Sequence, residues 1–371
     1  MRLGVAAAMV EGTLVRGDVE VVDGRVAAVG LAGDGRGLAV PGLVDLQVNG
    51  YAGVDVLDAD PDALADLGEA LLHAGVLWYQ PTLITSPPDR VREALGAIGE
   101  AIEQAAAAGR GAGGARILGA HLEGPFLSPA RPGAHPVEWL RDPDPDLLAS
   151  FLAAGCPVTT VTLAPELSRA GELIEALVRR GVVVSVGHTD AAAATVHAAF
   201  DLGACTVTHL FNAMRPFGHR DPGPAGAALT RDDVVVQLIA DGVHVSAEAL
   251  LVAWRAARGR LALVTDAIAA AGLGDGDYRL GEREVRVEGG VSRLADGTLA
   301  GAVRPLEWGL RALAELGVPL PEAVDAVTRT PARILGRDDV GRLAPGAPAD
   351  LVLLDDELVV ADVLVGGALA T

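Results

Sequence analysis

The sequence predicts an α/β protein, a (β/α)8 TIM barrel with a small β-sandwich domain formed by the two ends of the chain. Three observations lead to this fold class. Short apolar segments alternate with alanine-rich helical stretches through most of the 371 residues, β-type segments occupy both ends, and polar residues follow most of the apolar segments. We expect the terminal domain at residues 1–40 and 344–371, and the barrel at 41–343.

The terminal domain is predicted from two pairs of β segments. Val19–Val22 and Arg25–Val29 flank Asp23-Gly24, a dipeptide typical of a type I′ hairpin turn. Ala349–Leu354 and Glu357–Val365 follow a loop marked by proline and glycine near the C-terminus. We expect these distant segments to pair in one small domain.

The barrel is predicted from eight apolar segments with the length of buried parallel strands. They are Leu43–Val48, Val76–Leu83, Arg116–Ala120, Val158–Leu163, Val182–Val186, Cys205–Thr208, Val234–Ala240 and Leu261–Thr265. The helical stretches between them include Asp62–His73, Arg90–Ala108, Leu167–Arg180, Ala191–Leu202 and Ala247–Ala257. A β insertion is expected near 278–300, where Asp296-Gly297 is a second hairpin signal.

Composition excludes several classes of function. The chain carries 49 acidic and 29 basic residues, a net charge of −20, which argues against nucleic-acid binding. All basic residues are arginine, and the sequence contains no lysine. This excludes mechanisms that need a lysine amine, including Schiff bases, lysine-containing phosphate loops and metal pairs bridged by a carbamylated lysine. The two cysteines imply no disulfide framework, and we expect a cytoplasmic protein without a membrane segment or cleaved leader.

Polar residues stand at the C-terminal ends of six predicted strands. They are Gln47 and Asn49 after the first, His121 and Glu123 after the third, His188 after the fifth, His209 after the sixth, Asp241 and His244 after the seventh, and Asp266 after the eighth. TIM barrels form their active sites at this end of the strands. The sequence therefore predicts one active site at this rim.

A metal site is the chemistry that this rim permits. Glu123, His188 and His209 form a carboxylate and two-imidazole set that suits zinc with a position left for water, and Asp266 is placed to exchange the water's proton. Each residue also has a structural interpretation, because His188 and Asp266 can precede helix N-caps or act as caps, and Glu123 lies in a Glu-Gly-Pro turn. The barrel topology favours the metal site.

An anionic substrate needs local positive charge in a chain this acidic. The loop after the sixth strand offers the backbone amides of Asn212 and Ala213, and then the guanidinium of Arg220. His135 and His244 lie in a loop and beyond a strand end, where substrate contact is plausible. For the arginine and for each histidine, a solvated surface residue remains the alternative.

Five motifs together resemble the N-acetylglucosamine-6-phosphate deacetylases of the amidohydrolase superfamily, over nearly the whole chain. The motifs are Pro41-Gly42-Leu43-Val44-Asp45-Leu46-Gln47-Val48-Asn49-Gly50, His121-Leu122-Glu123-Gly124-Pro125-Phe126, Gly187-His188-Thr189, Thr208-His209-Leu210-Phe211-Asn212-Ala213-Met214 and Val264-Thr265-Asp266-Ala267. The resemblance implies a barrel of the amidohydrolase type. It also implies metal-dependent hydrolysis of the N-acetyl group of N-acetylglucosamine 6-phosphate to glucosamine 6-phosphate and acetate.

The resemblance assigns roles to particular residues. Glu123, His188 and His209 would hold one divalent metal per subunit, with zinc expected and Fe²⁺, Co²⁺ or Mn²⁺ as alternatives, and Asp266 would be the general acid/base. Substrate contacts are implied for His135 at the N-acetyl group, for Gln47, Asn212 and Ala213 along the sugar phosphate, and for Arg220 and His244 at the phosphate. A homodimer is also implied, and the sequence does not show which subunit Arg220 serves.

Two departures and several rival functions accompany the resemblance. Gln47-Val48-Asn49 replaces the His-x-His of many amidohydrolases, so we expect a single metal. Ala302–Pro305 replaces a Ser and Leu-Thr-Met pattern near the rim. The rivals are deacetylation of N-acetylgalactosamine 6-phosphate or another N-acyl amine, a cyclic-amide hydrolase or nucleobase deaminase, and a non-catalytic sugar-phosphate sensor.

Overall fold

The computed structural model of the chain describes residues 1–109 and 114–370. Residues 110–113 of the predicted barrel and Thr371 of the predicted terminal domain therefore lie outside the described chain. The fold is the predicted one: an eight-stranded parallel barrel carrying a small β domain made from both ends. The division at residues 40 and 344 stays a prediction.

Both ends of the chain build the terminal β domain. Its main sheet contains, in spatial order, Thr13–Arg16, Ala7–Val10, Leu38–Pro41, Leu351–Leu354, Val360–Val365 and Ala368–Leu369. The hairpin Asp18–Val22 and Arg25–Leu31 forms a separate two-stranded sheet around the predicted Asp23-Gly24 turn. Val19, Val26 and Leu351 belong to one hydrophobic cluster shared by the hairpin and the main sheet. The two ends therefore share one small domain, as predicted, but the N-terminal strand that pairs with Leu351–Leu354 is Leu38–Pro41, and the predicted hairpin packs on this sheet without joining it.

The barrel strands are nearly all apolar because both of their faces are covered. Strands one to eight are Leu43–Val48, Val76–Ile84, Ala120–Glu123, Val158–Leu163, Val183–Val186, Thr206–Val207, Val235–Ile239 and Leu261–Val264. Neighbours pair in parallel from strand one to strand eight. The predicted third strand is shifted: Arg116–Ile117 is a separate two-residue strand, and the chain turns at Gly119, where φ is +99° and a Cβ would lie 2.6 Å from Thr159.

Helices connect the strands. They are α1 (Pro61–His73), α2 (Pro88–Ala108), α3 (Pro145–Leu152), α4 (Ala170–Val178), α5 (Ala193–Asp201), α6 (Gly223–Leu229) and α7 (Ala247–Ala256) between strands, and α8 (Leu306–Glu315), α9 (Leu320–Asp325) and α10 (Arg329–Ile334) after strand eight. Polar caps start several of them, since Asp60 accepts from Ala63 N before α1 and Ser246 from Ala249 N before α7. In the described residues, none of these helices is long and apolar enough to cross a membrane.

The predicted β insertion forms one wall over the catalytic end of the barrel. It is a three-stranded antiparallel sheet of Gly276–Leu280, Arg283–Glu288 and Val291–Arg293. Its buried face packs on Ile84 at the end of strand two and on Ile268 after strand eight. A two-stranded hairpin of Gly50–Tyr51 and Val54–Asp55 follows strand one, and a 3-10 turn spans Val137–Trp139.

Candidate active site

A cleft of about 350 Å³ opens at the C-terminal ends of the barrel strands. Its floor contains Glu123, His188, His209 and Asp266, which sequence reasoning placed at four strand ends. The insertion supplies one wall, including Leu280 and the turn that follows Arg293. The predicted rim is therefore one concave site, as expected of an enzyme on this fold.

The three predicted metal ligands converge. Nε2 of His209 lies 2.9 Å from Oε1 of Glu123, Nε2 of His188 lies 3.2 Å from the same oxygen, and the two nitrogens are 3.2 Å apart. Atoms this close can all reach one ion at the roughly 2.1 Å typical of zinc bonds to nitrogen and oxygen. The donor set and its spacing fit a single divalent metal.

The ring orientation of His188 leaves its metal-facing nitrogen free to bind. Nδ1 of His188 lies 3.0 Å from the carbonyl oxygen of Arg131, which can only accept, so Nδ1 carries the proton and Nε2 presents a lone pair. Burial lowers the pKa of His188 to about 4, which keeps this ring neutral. A backbone carbonyl thus prepares His188 as a ligand.

His135 is oriented in the opposite way. Its Nδ1 accepts the backbone N–H of Thr85 at 3.2 Å and lies 2.9 Å from the Thr85 hydroxyl. Nε2 therefore carries the proton, and it points toward Oε2 of Glu123 at 3.6 Å. One ligand atom each of Glu123, His135 and His188 lie within 4.8 Å of one another, but a protonated Nε2 makes His135 a hydrogen-bond donor rather than a third nitrogen ligand.

Glu123 is held ionised at the centre of the cluster. Burial alone would raise its pKa, but the neighbouring imidazoles of His135, His188 and His209 outweigh burial and hold the pKa well below the ordinary value. His209 changes in the complementary direction: burial opposes its charge, yet the hydrogen bond to Glu123 raises its pKa. Nδ1 of His209 is buried and has no partner in the described chain. This electrostatic arrangement favours a cation between the three side chains.

Asp266 lies beside the ligand cluster with one oxygen fully engaged. Oδ1 accepts from Nδ2 of Asn49 at 2.7 Å and from Nε2 of Gln47 at 3.0 Å. Burial, followed by repulsion from Glu123, raises the pKa of Asp266 to about 6. The helix-cap interpretation of this residue does not hold, because the carboxylate serves these two amides. A carboxylate with such a pKa suits proton transfer near neutral pH.

Three of these side chains stand on strained backbone. His188, His209 and Asp266 have φ values of +48°, +30° and +53°, in the left-handed region that L-residues seldom adopt. Each lies two residues past the end of its strand, where the turn directs the side chain into the cleft. Strain of this kind collects at functional sites, where the surrounding structure enforces it.

The predicted substrate contacts divide into two groups. Asn212, Ala213, His135 and His244 all line the cleft. His244 is fixed by Asp241, whose Oδ2 lies 2.8 Å from its Nδ1. Gln47 is fully buried below the cleft, where its amide also donates to Oε1 of Glu123 at 3.1 Å.

Arg220 lies apart from that group. It is exposed on the loop after strand six and is not among the described residues that line the cleft. A role at the phosphate therefore stays a prediction for this side chain.

Sequence reasoning missed several residues that the fold brings to the site. Thr85 orients His135, the carbonyl of Arg131 orients His188, and Arg293 lines the cleft from the insertion. Arg131 acts through its carbonyl, and Thr85 acts through its backbone N–H together with its hydroxyl, and no pattern in the sequence places either residue beside a histidine. Arg293 belongs to an insertion whose position over the barrel is set by tertiary packing. Asn49 was placed at the rim by the sequence, through the Gln-x-Asn motif, but its role as a hydrogen-bond donor to Asp266 was not predicted.

The comparisons with known proteins agree with this geometry. The amidohydrolase family matches residues 38–370. The chain belongs to the amidohydrolase family. Family members use a divalent metal, and Glu123 with the histidines around it forms a cluster that could hold one.

Relatives share most of the chain's length. A human N-acetylglucosamine-6-phosphate deacetylase is 42% identical over 350 residues, covering 90% of this chain and 83% of that protein. An N-acetylgalactosamine-6-phosphate deacetylase of Escherichia coli O157:H7 is 38% identical over 97% of this chain and 96% of its own. The structure of a mutant N-acetyl-D-glucosamine-6-phosphate deacetylase from Mycobacterium smegmatis in complex with N-acetyl-D-glucosamine-6-phosphate is 37% identical, with a TM-score of 0.93, 100% coverage of this chain and 99% of that one.

Proposed function

We propose that this amidohydrolase removes the N-acetyl group of N-acetylglucosamine 6-phosphate, releasing acetate and glucosamine 6-phosphate. The observation that carries the proposal is the convergence of Glu123, His188 and His209 within 3.2 Å of one another, in the cleft that also holds Asp266. Identity of 37–42% to proteins named for this reaction supports the substrate. These relatives favour the gluco epimer over the galacto alternative.

The ligand cluster and the proton-transfer carboxylate divide the chemistry. When bound, a divalent metal polarises the amide carbonyl and activates a water. Glu123, His188 and His209 hold that metal. Asp266, whose pKa of about 6 leaves it ionised at pH 7, accepts the proton of the attacking water and gives it to the departing amine.

His135 is the second group, besides the metal, that would stabilise negative charge on the acetyl oxygen. Its Nε2–H donates toward the developing negative charge on the acetyl oxygen, and the Thr85 N–H prevents the ring from presenting a lone pair there. Because the donor is fixed before substrate arrives, no reorganisation is needed during the reaction. His135 is thus proposed to contact the N-acetyl group.

The sugar phosphate is proposed to lie along the other side of the cleft. Asn212, Ala213 and His244 supply amide and imidazole donors, and Arg220 supplies a guanidinium from its own or a neighbouring subunit. We propose zinc as the metal, one ion per subunit, in a cytoplasmic homodimer. The two cysteines, free in the structure, support a reducing compartment.

The test is acetate release by protein of known metal content. N-acetylglucosamine 6-phosphate, its galacto epimer and unphosphorylated N-acetylglucosamine are compared at equal concentrations. Rapid release from the phosphorylated gluco sugar is expected, with Asp266→Asn as a metal-retaining inactive control. Release from the galacto epimer alone would identify N-acetylgalactosamine 6-phosphate as the substrate. Stoichiometric binding of the sugar phosphate without turnover would indicate a sensor instead of an enzyme.

A further inference from the structure

One buried carboxylate lies within strand one and has no part in the chemistry described above. Asp45 is 0% exposed, and both of its oxygens bind Thr265, the residue directly before Asp266. Oδ2 accepts the Thr265 hydroxyl at 2.6 Å, and Oδ1 accepts the Thr265 backbone N–H at 3.1 Å. Burial raises the pKa of Asp45 to about 7, which shows that this position is costly for a carboxylate.

These bonds lie at the seam where the barrel closes. Strands one to eight pair through continuous ladders, but in the described chain strands one and eight share no ladder and meet through a single bridge, Val48 to Ala267. At this seam the hydrogen bonds of the Asp45 carboxylate therefore connect two strands that backbone ladders connect elsewhere in the barrel. A side-chain contact, rather than a ladder, fixes the end of strand eight against strand one.

The contacts hold Asp266 from both sides. On its N-terminal side Asp45 holds Thr265, and on its C-terminal side the Ala267 carbonyl accepts the backbone N–H of Asn49 at 2.8 Å. The Thr265 hydroxyl also accepts the Ala267 N–H at 3.0 Å. Asp266 itself has a φ of +53°, a conformation that persists only where neighbouring contacts enforce it.

We propose that Asp45 is a positioning residue for the Asp266 carboxylate, acting through Thr265. The inference rests on the proposed function, because it assumes that Asp266 transfers the proton. Asp45, through Thr265, fixes the backbone of Asp266, and Asn49 and Gln47 then fix its carboxylate. The other carboxylate oxygen, Oδ2, therefore keeps its position relative to the proposed metal ligands. An aliphatic pair would also close the seam, but it would provide no fixed acceptors for the turn.

The experiment compares Asp45→Asn, Thr265→Val and Thr265→Ser with the wild type. Asp45→Asn removes one of the two carboxylate oxygens that accept from Thr265, so the hydroxyl would keep only the longer contact to the Gln47 carbonyl at 3.2 Å, and Thr265→Val removes the hydroxyl. We expect kcat for acetate release to fall about 100-fold in both, with KM and metal content unchanged, because displacements near 1 Å cost about that much. Thr265→Ser keeps the hydroxyl and should stay within about threefold of the wild type.

A double mutant separates positioning from general stability. In the Asp266→Asn background, Asp45→Asn should cause no further loss of kcat, since its effect passes through the missing carboxylate. The matched control is Thr160→Val, which deletes another buried barrel hydroxyl, bonded to Gln80, and should lower only the melting temperature. The proposal is overturned if Asp45→Asn costs the same factor in both backgrounds, or if folded, metal-loaded Thr265→Val turns over like the wild type.

Crystal structures keep the inference independent of the substrate. If the wild type releases no acetate from any of the sugars, the proposed function fails while the positioning role can still be measured. In Thr265→Val, the Asn49–Asp266 contact of 2.7 Å should be lost and Asp266 should leave its left-handed conformation. Retention of both features would overturn the inference.

Discussion

The two sides of the cleft differ in the groups that face their carboxylates. At strands five and six, His188 and His209 each bring Nε2 within 3.2 Å of Oε1 of Glu123, an arrangement that fits a cation bound between them. At strands one and eight, Asn49 and Gln47 present N–H donors to Asp266, an arrangement complete without one. The difference explains how one barrel mouth separates a metal-binding function from a proton-transfer function a few ångströms away.

The same contrast recurs between two neighbouring imidazoles. The rings of His135 and His188 have centroids 4.4 Å apart, yet each has its Nδ1 bonded to a group of opposite character. A backbone N–H at Thr85 makes one ring a donor, and a backbone carbonyl at Arg131 makes the other a ligand. Backbone groups, rather than residue identity, therefore decide what each histidine does.

The largest expected effect comes from removing a ligand nitrogen. His188→Ala should lower kcat/KM by about 10³-fold or more and leave well under one metal per chain, because the remaining pair of ligands binds the ion weakly. Elemental analysis after dialysis, together with acetate release, measures both quantities. His73→Ala, at an exposed histidine on α1, is the matched control and should change neither. Full metal occupancy in His188→Ala would show that His188 is not a metal ligand and that the contrast between the two sides of the cleft is wrong.

Replacing the donor histidine should give a different pattern. His135→Ala removes only the Nε2–H, so kcat should fall about 10²- to 10³-fold while metal content stays at one per chain. The same two measurements on the same preparations test it. Loss of metal in this variant would make His135 a ligand, and the contrast between the two rings would disappear.

Much of this site was predictable because parallel strands place their C-terminal ends together. Glu123, His188, His209 and Asp266 follow apolar segments in the sequence, so the barrel pattern alone predicted their convergence. Tautomers were not predictable, because no pattern in the sequence places Thr85 or the carbonyl of Arg131 beside a histidine. Gln47 was predicted to line the substrate site, but its side chain lies below the cleft, since a residue within a barrel strand can point into the interior. The shift of the third strand depends on tight packing at Gly119, which periodicity does not reveal.

A smaller effect should appear in the pH dependence of the proton-transfer side. The Asn49 hydrogen bond lowers the pKa of Asp266 against burial, so Asn49→Leu should raise that pKa above about 6. Asp266 must be ionised to accept a proton, and the acidic limb of kcat should therefore move to higher pH by about one unit. Rates measured from pH 5 to 9 test this shift. Gln237→Leu removes another buried barrel amide, bonded to Thr206, and should leave the limb in place.

The smallest effect is expected at the exposed Arg220. Arg220→Ala should raise KM about tenfold for the phosphorylated sugar and leave unphosphorylated N-acetylglucosamine unchanged, because only the phosphate uses a guanidinium. Arg231→Ala, at a surface arginine paired with Asp201 and Asp233, is the control. An equal change of KM for both sugars would contradict a phosphate contact.

If the chain forms the proposed homodimer, mixed dimers decide which subunit Arg220 serves. A chain with Arg220→Ala keeps Asp266, and a chain with Asp266→Asn keeps Arg220, so a heterodimer contains one catalytic carboxylate and one guanidinium on different chains. If the guanidinium crosses the interface, the heterodimer should recover the wild-type KM at the intact site. If Arg220 acts within its own chain, the raised KM should persist, because the guanidinium then serves only the site that lacks its aspartate. Either result shows whether the loop after strand six completes the site of its own subunit or the site of the neighbouring subunit.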